Sequence, residues 1–110
     1  LEQRCFVFAR DVRTLCRKIN QDIVNAQDIR QLVRSSGSVG ANYIEANEKL
    51  GEGDLKHRLK IARKEAKESI LWLSLLYIAE NSTLETERQR LIKEANELKS
   101  ILSAILNKLK

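Results

Sequence analysis

At 110 residues, 43% hydrophobic and 32% charged, with no proline and 5% aromatic residues, the chain has room for one compact domain over 1–110 and none for a catalytic second domain. Lys and Arg number 20 against 15 Asp and Glu, a net charge of +5 with both signs interleaved, which permits polyanion binding without demanding it. No apolar run approaches the roughly 18 to 20 residues of a bilayer span, and Leu1-Glu2-Gln3-Arg4 has no secretory apolar core, so the expectation is a soluble cytoplasmic chain with no membrane partner.

Absence of proline, with abundant Leu, Ile, Ala, Lys, Glu and Arg, favours long helices over a sheet with many turns. Cys5, Phe8, Val12, Leu15, Cys16, Ile19 and Ile23 recur at three- and four-residue steps and predict helix 1 over about residues 3 to 21. Asn25 is the expected cap of helix 2, with Asp28 in its first turn and Ile29, Leu32, Val33, Ser36, Val39, Gly40, Tyr43 and Leu50 along one register. Gly51 is its expected left-handed terminus.

Asp54 is the expected cap of helix 3, whose inner stripe reads Leu55, Leu59, Ala62, Ala66, Ile70, Leu73 and Tyr77. At about 26 residues that helix would run roughly 39 Å. Ser82-Thr83-Leu84-Glu85 has the form of a capping box and predicts the start of helix 4. There Leu91, Leu98 and Ile105 alternate with Ala95, Leu102 and Leu109 as an a/d seam. Short connections between long helices make neighbours antiparallel, so the expected fold is all-α, an antiparallel up-down-up-down four-helix bundle.

The run from Ser35 to Asn42 puts Gly and Ser in the interior of helix 2, where both are poor choices. Ser36 and Gly40 face the predicted core, whereas Ser38, Ala41 and Asn42 lie opposite, so the helix is thin on both sides. Arg34, Ser38, Ala41, Asn42 and Glu45 therefore form a candidate subunit contact, with Asn42 and Glu45 making directional bonds across a small-residue seam; an ordinary solvated face is the competing reading. The stretch Ile70 to Ala79 is apolar almost all round, more than one stripe can bury, and Leu71 and Ile78 on its further side join the candidate contact.

Earlier in helix 3, Lys56, Lys60, Arg63 and Lys67 align on one ridge beside His57 and Lys64, and helix 1 adds Arg10, Arg13 and Arg17 at similar spacing. Two such ridges could track a phosphate backbone. The alternative is a solvated face whose lysines pair with Glu65, Glu68 and other carboxylates. No interleaved aromatics accompany the ridges, so sequence-specific base reading is not expected.

Catalytic constellations find little support. A di-metal bundle site needs Glu-x-x-His on two helices, but the single His, His57, stands between Lys56 and Arg58. Neither a nucleophile elbow nor a reactive-cysteine context is present. Cys5 and Cys16 share one helix about 16 Å apart, too far for a disulfide, and read as buried thiols. Glu65, Glu68, Glu94 and Glu97 are the remaining candidates for paired-carboxylate chemistry, although helix surfaces routinely carry such charges. The expectation is no enzyme, no cofactor and no metal.

Leu32 to Ala46, followed by Lys60-Ile61-Ala62-Arg63-Lys64-Glu65-Ala66-Lys67-Glu68-Ser69 and Trp72-Leu73, resembles the four-helix-bundle family of 23S rRNA intervening-sequence proteins. The small-residue run, Asn42, Glu45, Glu65, Glu68 and Trp72 stand in the family's order and spacing. Tyr43 departs from the smaller aliphatic residue expected there, and Ala46 stands where many relatives have Gly. The resemblance implies a homo-oligomer, a five-membered ring. It also implies kinship with the accessory variability determinant of diversity-generating retroelements, a basic pentamer that binds nucleic acid and a reverse transcriptase. The functional expectation is a nucleic-acid-associated accessory or scaffold protein that takes RNA or DNA on its basic ridges; the alternative is a structural or protein-interaction oligomer without such a ligand.

Overall fold

The computed structural model of the chain describes residues 1–48 and 51–109, with the backbone alone for Glu52. Four helices follow one another, α1 (Glu2–Arg17), α2 (Ile23–Asn47), α3 (Glu52–Leu75) and α4 (Ser82–Lys108), and no strand occurs among the described residues. Leu50, expected on the helix 2 stripe, lies outside them.

Cross-helix contacts fix the directions. Arg13 of α1 bonds the Val33 carbonyl of α2, and Gly40, further along α2, lies against Cys5. Arg34 and Asn42 of α2 meet Glu65 and Arg58 of α3, respectively. Arg63 and Leu73 of α3 meet Ser103 and Arg88 of α4, while Arg4 and Asp11 of α1 meet Glu94 and Arg90. In every pair the numbering rises on one helix as it falls on the other. Each helix packs on the next and α1 closes on α4, leaving α1 diagonal to α3 and α2 diagonal to α4. The result is an antiparallel up-down-up-down four-helix bundle of 46 × 22 × 20 Å.

The inward stripes meet as one core. Phe8, Val12 and Leu15 pack with Leu32 and Val39, with Leu59, Ala62, Ala66 and Leu73, and with Leu91, Ala95, Leu98 and Leu102. Each buried Leu contributes about 1.5–3 kcal/mol relative to leaving it exposed. Helix α2 lies between α1 and α3, which explains small residues on more than one of its sides. Toward α1, a Cβ on Gly40 would come within 3.2 Å of the Cys5 Cβ. Toward α3, Ser35 is fully buried and its hydroxyl shares a 2.9 Å hydrogen bond with that of Ser69.

The ends of the elements differ from the expectations, and in each case a different residue takes the cap. Asp22 caps α2, its Oδ1 accepting from Val24 N at 3.0 Å and Asn25 N at 2.8 Å. Ile23, expected on the helix 1 stripe, therefore opens α2 and is 82% exposed. Helix α2 ends at Asn47 with Glu48 extended. Gly51 has φ −62°, so it is not a left-handed terminus but the residue preceding α3, and Asp54 lies inside the first turn. Asn81 caps α4 through Leu84 N at 3.0 Å; the Glu85 carboxylate holds Arg88 and Gln89, so the capping box at Ser82 does not form.

Helix α3 stops at Leu75, although the apolar run continues to Ala79. Arg88 of α4 donates to the carbonyls of Leu73 and Leu76, satisfying acceptors at the end of α3. The chain then turns inward, with Leu76 and Ile78 buried and Ala79 in the left-handed region at φ 52°. Asn25, 1% exposed, locks this turn to the α1–α2 connection. Its amide donates to the carbonyls of Asn20 at 3.0 Å and Tyr77 at 2.8 Å, and its Oδ1 accepts from Tyr77 N at 2.9 Å.

Candidate nucleic-acid interface

Lys60, Arg63, Lys64 and Lys67 project from the side of α3 that adjoins α4, where Lys99 and Ser103 complete one open groove. Arg63 anchors it by donating to Ser103 Oγ at 3.5 Å. Among the described residues, no carboxylate lies within ion-pair distance of Lys60, Lys64, Lys67 or Lys99. Lys56, expected on the same ridge, does not line the groove.

The carboxylates expected to neutralise the ridge face elsewhere. Glu65 and Glu68 turn toward α2, where the Arg34 guanidinium donates to Glu65 at 3.0 and 3.3 Å and to Glu68 at 3.2 Å. These bonds, led by Glu65, raise the Arg34 pKa. A second fork repeats the device on the opposite seam: Arg4 of α1 holds Glu94 at 2.7 and 2.8 Å and Glu97 at 2.6 Å. The two acidic pairs thus lie on different helix seams, each locked by an arginine, and do not crowd into one carboxylate site. Arg4 is the ion-pair partner that the sequence reading does not single out; the repeated Glu-x-x-Glu spacing at Glu65–Glu68 and Glu94–Glu97 is the signal that points to it.

Arg10, Arg13 and Arg17 lie on α1, which is diagonal to α3, so one chain does not bring the two ridges together. Arg10 pairs with Asp11 at 3.2 Å, Arg13 donates to the Ala9 carbonyl at 3.0 Å, and Arg17 projects into solvent.

The chain's own packing uses several of the candidate contact residues. Arg34 belongs to the fork just described. Asn42, half-buried, donates to the Ser38 carbonyl at 2.9 Å and accepts from Arg58 of α3 at 3.1 Å, so two of its directional bonds are made within the chain. Ile78 is buried in the core because the chain has left the helix by that point. Ser38 is half-buried; Ala41, Glu45 and Leu71 remain exposed.

Burial holds the Cys5 and Cys16 thiols up at about 11, which keeps both protonated and unreactive near neutrality. Among the described residues, no group of three or more His, Cys, Asp and Glu side chains is placed to hold a metal ion, and no helix is long and apolar enough to cross a membrane.

Against this geometry, the family model of the 23S rRNA-intervening sequence protein matches residues 1–104. The chain belongs to that family. A solved family relative, a protein of unknown function from the S23 ribosomal protein family of Bacteroides thetaiotaomicron, superposes with a TM-score of 0.77 at 28% identity, covering 96% of each chain. No curated protein matches. In this member of the 23S rRNA-intervening sequence family, the α3–α4 groove gathers Lys60, Arg63, Lys64 and Lys67 of α3 with Lys99 of α4.

Proposed function

We propose that the protein is a non-enzymatic, homo-oligomeric basic bundle that binds nucleic acid as an accessory or scaffold, with the α3–α4 groove as its phosphate-tracking surface. The observation that carries this reading is the division of charge on α3. Glu65 and Glu68 are held by Arg34 on one side, leaving Lys60, Lys64 and Lys67 with Lys99 uncompensated on the other. Such a surface concentrates polyanions. Exposed Leu71 and Leu75 beside Tyr77 are the apolar surface that self-assembly would cover, a ring of copies then repeating the groove.

Titrating labelled duplexes of unrelated sequence at several salt concentrations tests the binding. Four phosphate contacts give a log-log slope of about −3 to −4, with similar affinity for every sequence. A salt-independent affinity, or none at low salt, would leave the family fold as a structural oligomer. Light scattering tests the assembly, which a mass of one chain at micromolar concentration would refute.

A further inference from the structure

Away from the α3–α4 groove, an aromatic ring and uncompensated cations share a face of α1. Contrary to the expectation that no aromatic accompanies the ridges, Phe6 is 60% exposed and lies with Ala9, Arg10, Arg13 and Arg17 along a single depression on α1. The depression continues across Arg13 and Arg17 to Ile29 and Val33 of α2. Phe6, Arg10, Arg13 and Arg17 follow one another at steps of roughly 4.5 to 6 Å along the helix axis.

The cations are differently held. Arg13 is fixed against the α1–α2 seam by the Ala9 and Val33 carbonyls, at 3.0 and 3.5 Å, which leave its charge uncompensated. Among the described residues no carboxylate pairs with Arg17, while Arg10 shares Asp11 with Arg90. The Phe6 ring is left open to solvent by the chain's own packing. Flanked by cations, it presents a π-face to which any unpaired base can stack, whereas the bases of a duplex are already stacked and hidden from it.

We propose that the α1–α2 groove is a second nucleic-acid site, selective for single strands, in which Phe6 stacks on a base and Arg13 and Arg17, aided by Arg10, hold the flanking phosphates. This rests on the reading that the protein meets nucleic acid, but it assigns a different surface and a different strand form.

Fluorescence anisotropy with a short oligouridylate and with an RNA duplex tests it, using the whole chain and its Phe6→Leu and Phe6→Trp variants. Leucine keeps an apolar contact and removes the π-face. Phe6→Leu should therefore weaken the single strand about 5- to 100-fold and leave the duplex unchanged, while Phe6→Trp retains single-strand binding. Equal single-strand affinity of Phe6→Leu and the parent overturns the proposal. So does a change in particle mass on Phe6→Leu, which would assign the ring to a contact between copies. Displacement of oligouridylate by polyglutamate equally from parent and Phe6→Leu would assign the groove to acidic proteins instead. Binding of duplex alone refutes this site and leaves the α3–α4 reading standing; binding of neither nucleic acid refutes both.

Discussion

Asn25 shows how much one side chain can organise. Both of its amide hydrogens and its carbonyl oxygen are engaged, and the bonds join the α1–α2 connection to the turn that ends α3. Replacing it by Leu would preserve much of the volume but leave the peptide groups of Tyr77 and the Asn20 carbonyl without their part-buried bonds. The expected cost is about 2–4 kcal/mol, below the about 1–3 kcal/mol for each of three fully buried orphaned groups because these bonds are only part-buried and water recovers some of the loss, read as a lower urea midpoint. An unchanged midpoint would mean that water replaces the amide without loss. From the sequence, Asn25 read as a helix cap because Asx residues share that role with buried amide bridges. What separates them is the position of Tyr77, which no local pattern contains.

At the scale of the elements, the stripes were legible and the termini were not. A period of 3.6 residues is carried by many side chains at once, so the inward series of Phe8, Val12 and Leu15 or of Leu91, Leu98 and Leu102 survives any local misreading. A cap depends on one residue chosen among near equals, as with Asp22 against Asn25 or Asn81 against Ser82, and the end of α3 depends on Arg88 from another helix. The glycines of α2 were legible as a thin place, but not their neighbours. Gly37 would set a Cβ 3.3 Å from Arg13 Nη2, the end of a long side chain that can yield by giving up its 3.5 Å bond to Val33, whereas at Gly40 the obstacle is the Cys5 Cβ at 3.2 Å. Gly37→Ala should gain up to about 1 kcal/mol of helix stability, and Gly40→Ala should gain less or lose, as denaturant unfolding will show. The reverse order would contradict the close α1–α2 approach. In α4, bonds from Arg88 and then Gln89 hold the Glu85 carboxyl down from 4.5 to about 2, and Arg90 lowers Glu87. A depressed carboxyl adds stability that is present above its unfolded value and is lost as pH falls through its folded value. Thermal unfolding between pH 4.5 and 2 should accordingly be less pH-dependent in Glu85→Gln with Glu87→Gln than in the parent. Identical acid limbs would show these ion pairs to be inert.

Over the whole molecule, charge is sorted by the bundle's geometry. Both Glu-x-x-Glu pairs are drawn into seams by Arg34 and Arg4, while lysines accumulate where α3 and α4 meet. The ridge of Lys60, Arg63 and Lys67 was legible because those residues share one helix; Lys99 and Ser103 were not, because their place beside it follows from the pairing register of α3 with α4. On the proposed function, this arrangement rather than the net charge of +5 drives nucleic-acid binding. The most direct test compares two double charge reversals of equal net effect in a salt-dependent titration against one duplex. Lys60→Glu with Arg63→Glu alters the groove, and Arg30→Glu with Lys93→Glu alters the exposed faces of α2 and α4, with helicity checked by circular dichroism. The groove reversal should weaken binding and reduce the salt slope by about 2, and the control should change neither beyond a weak general effect. Equal losses in the two variants, or no loss in the groove variant, would contradict the account.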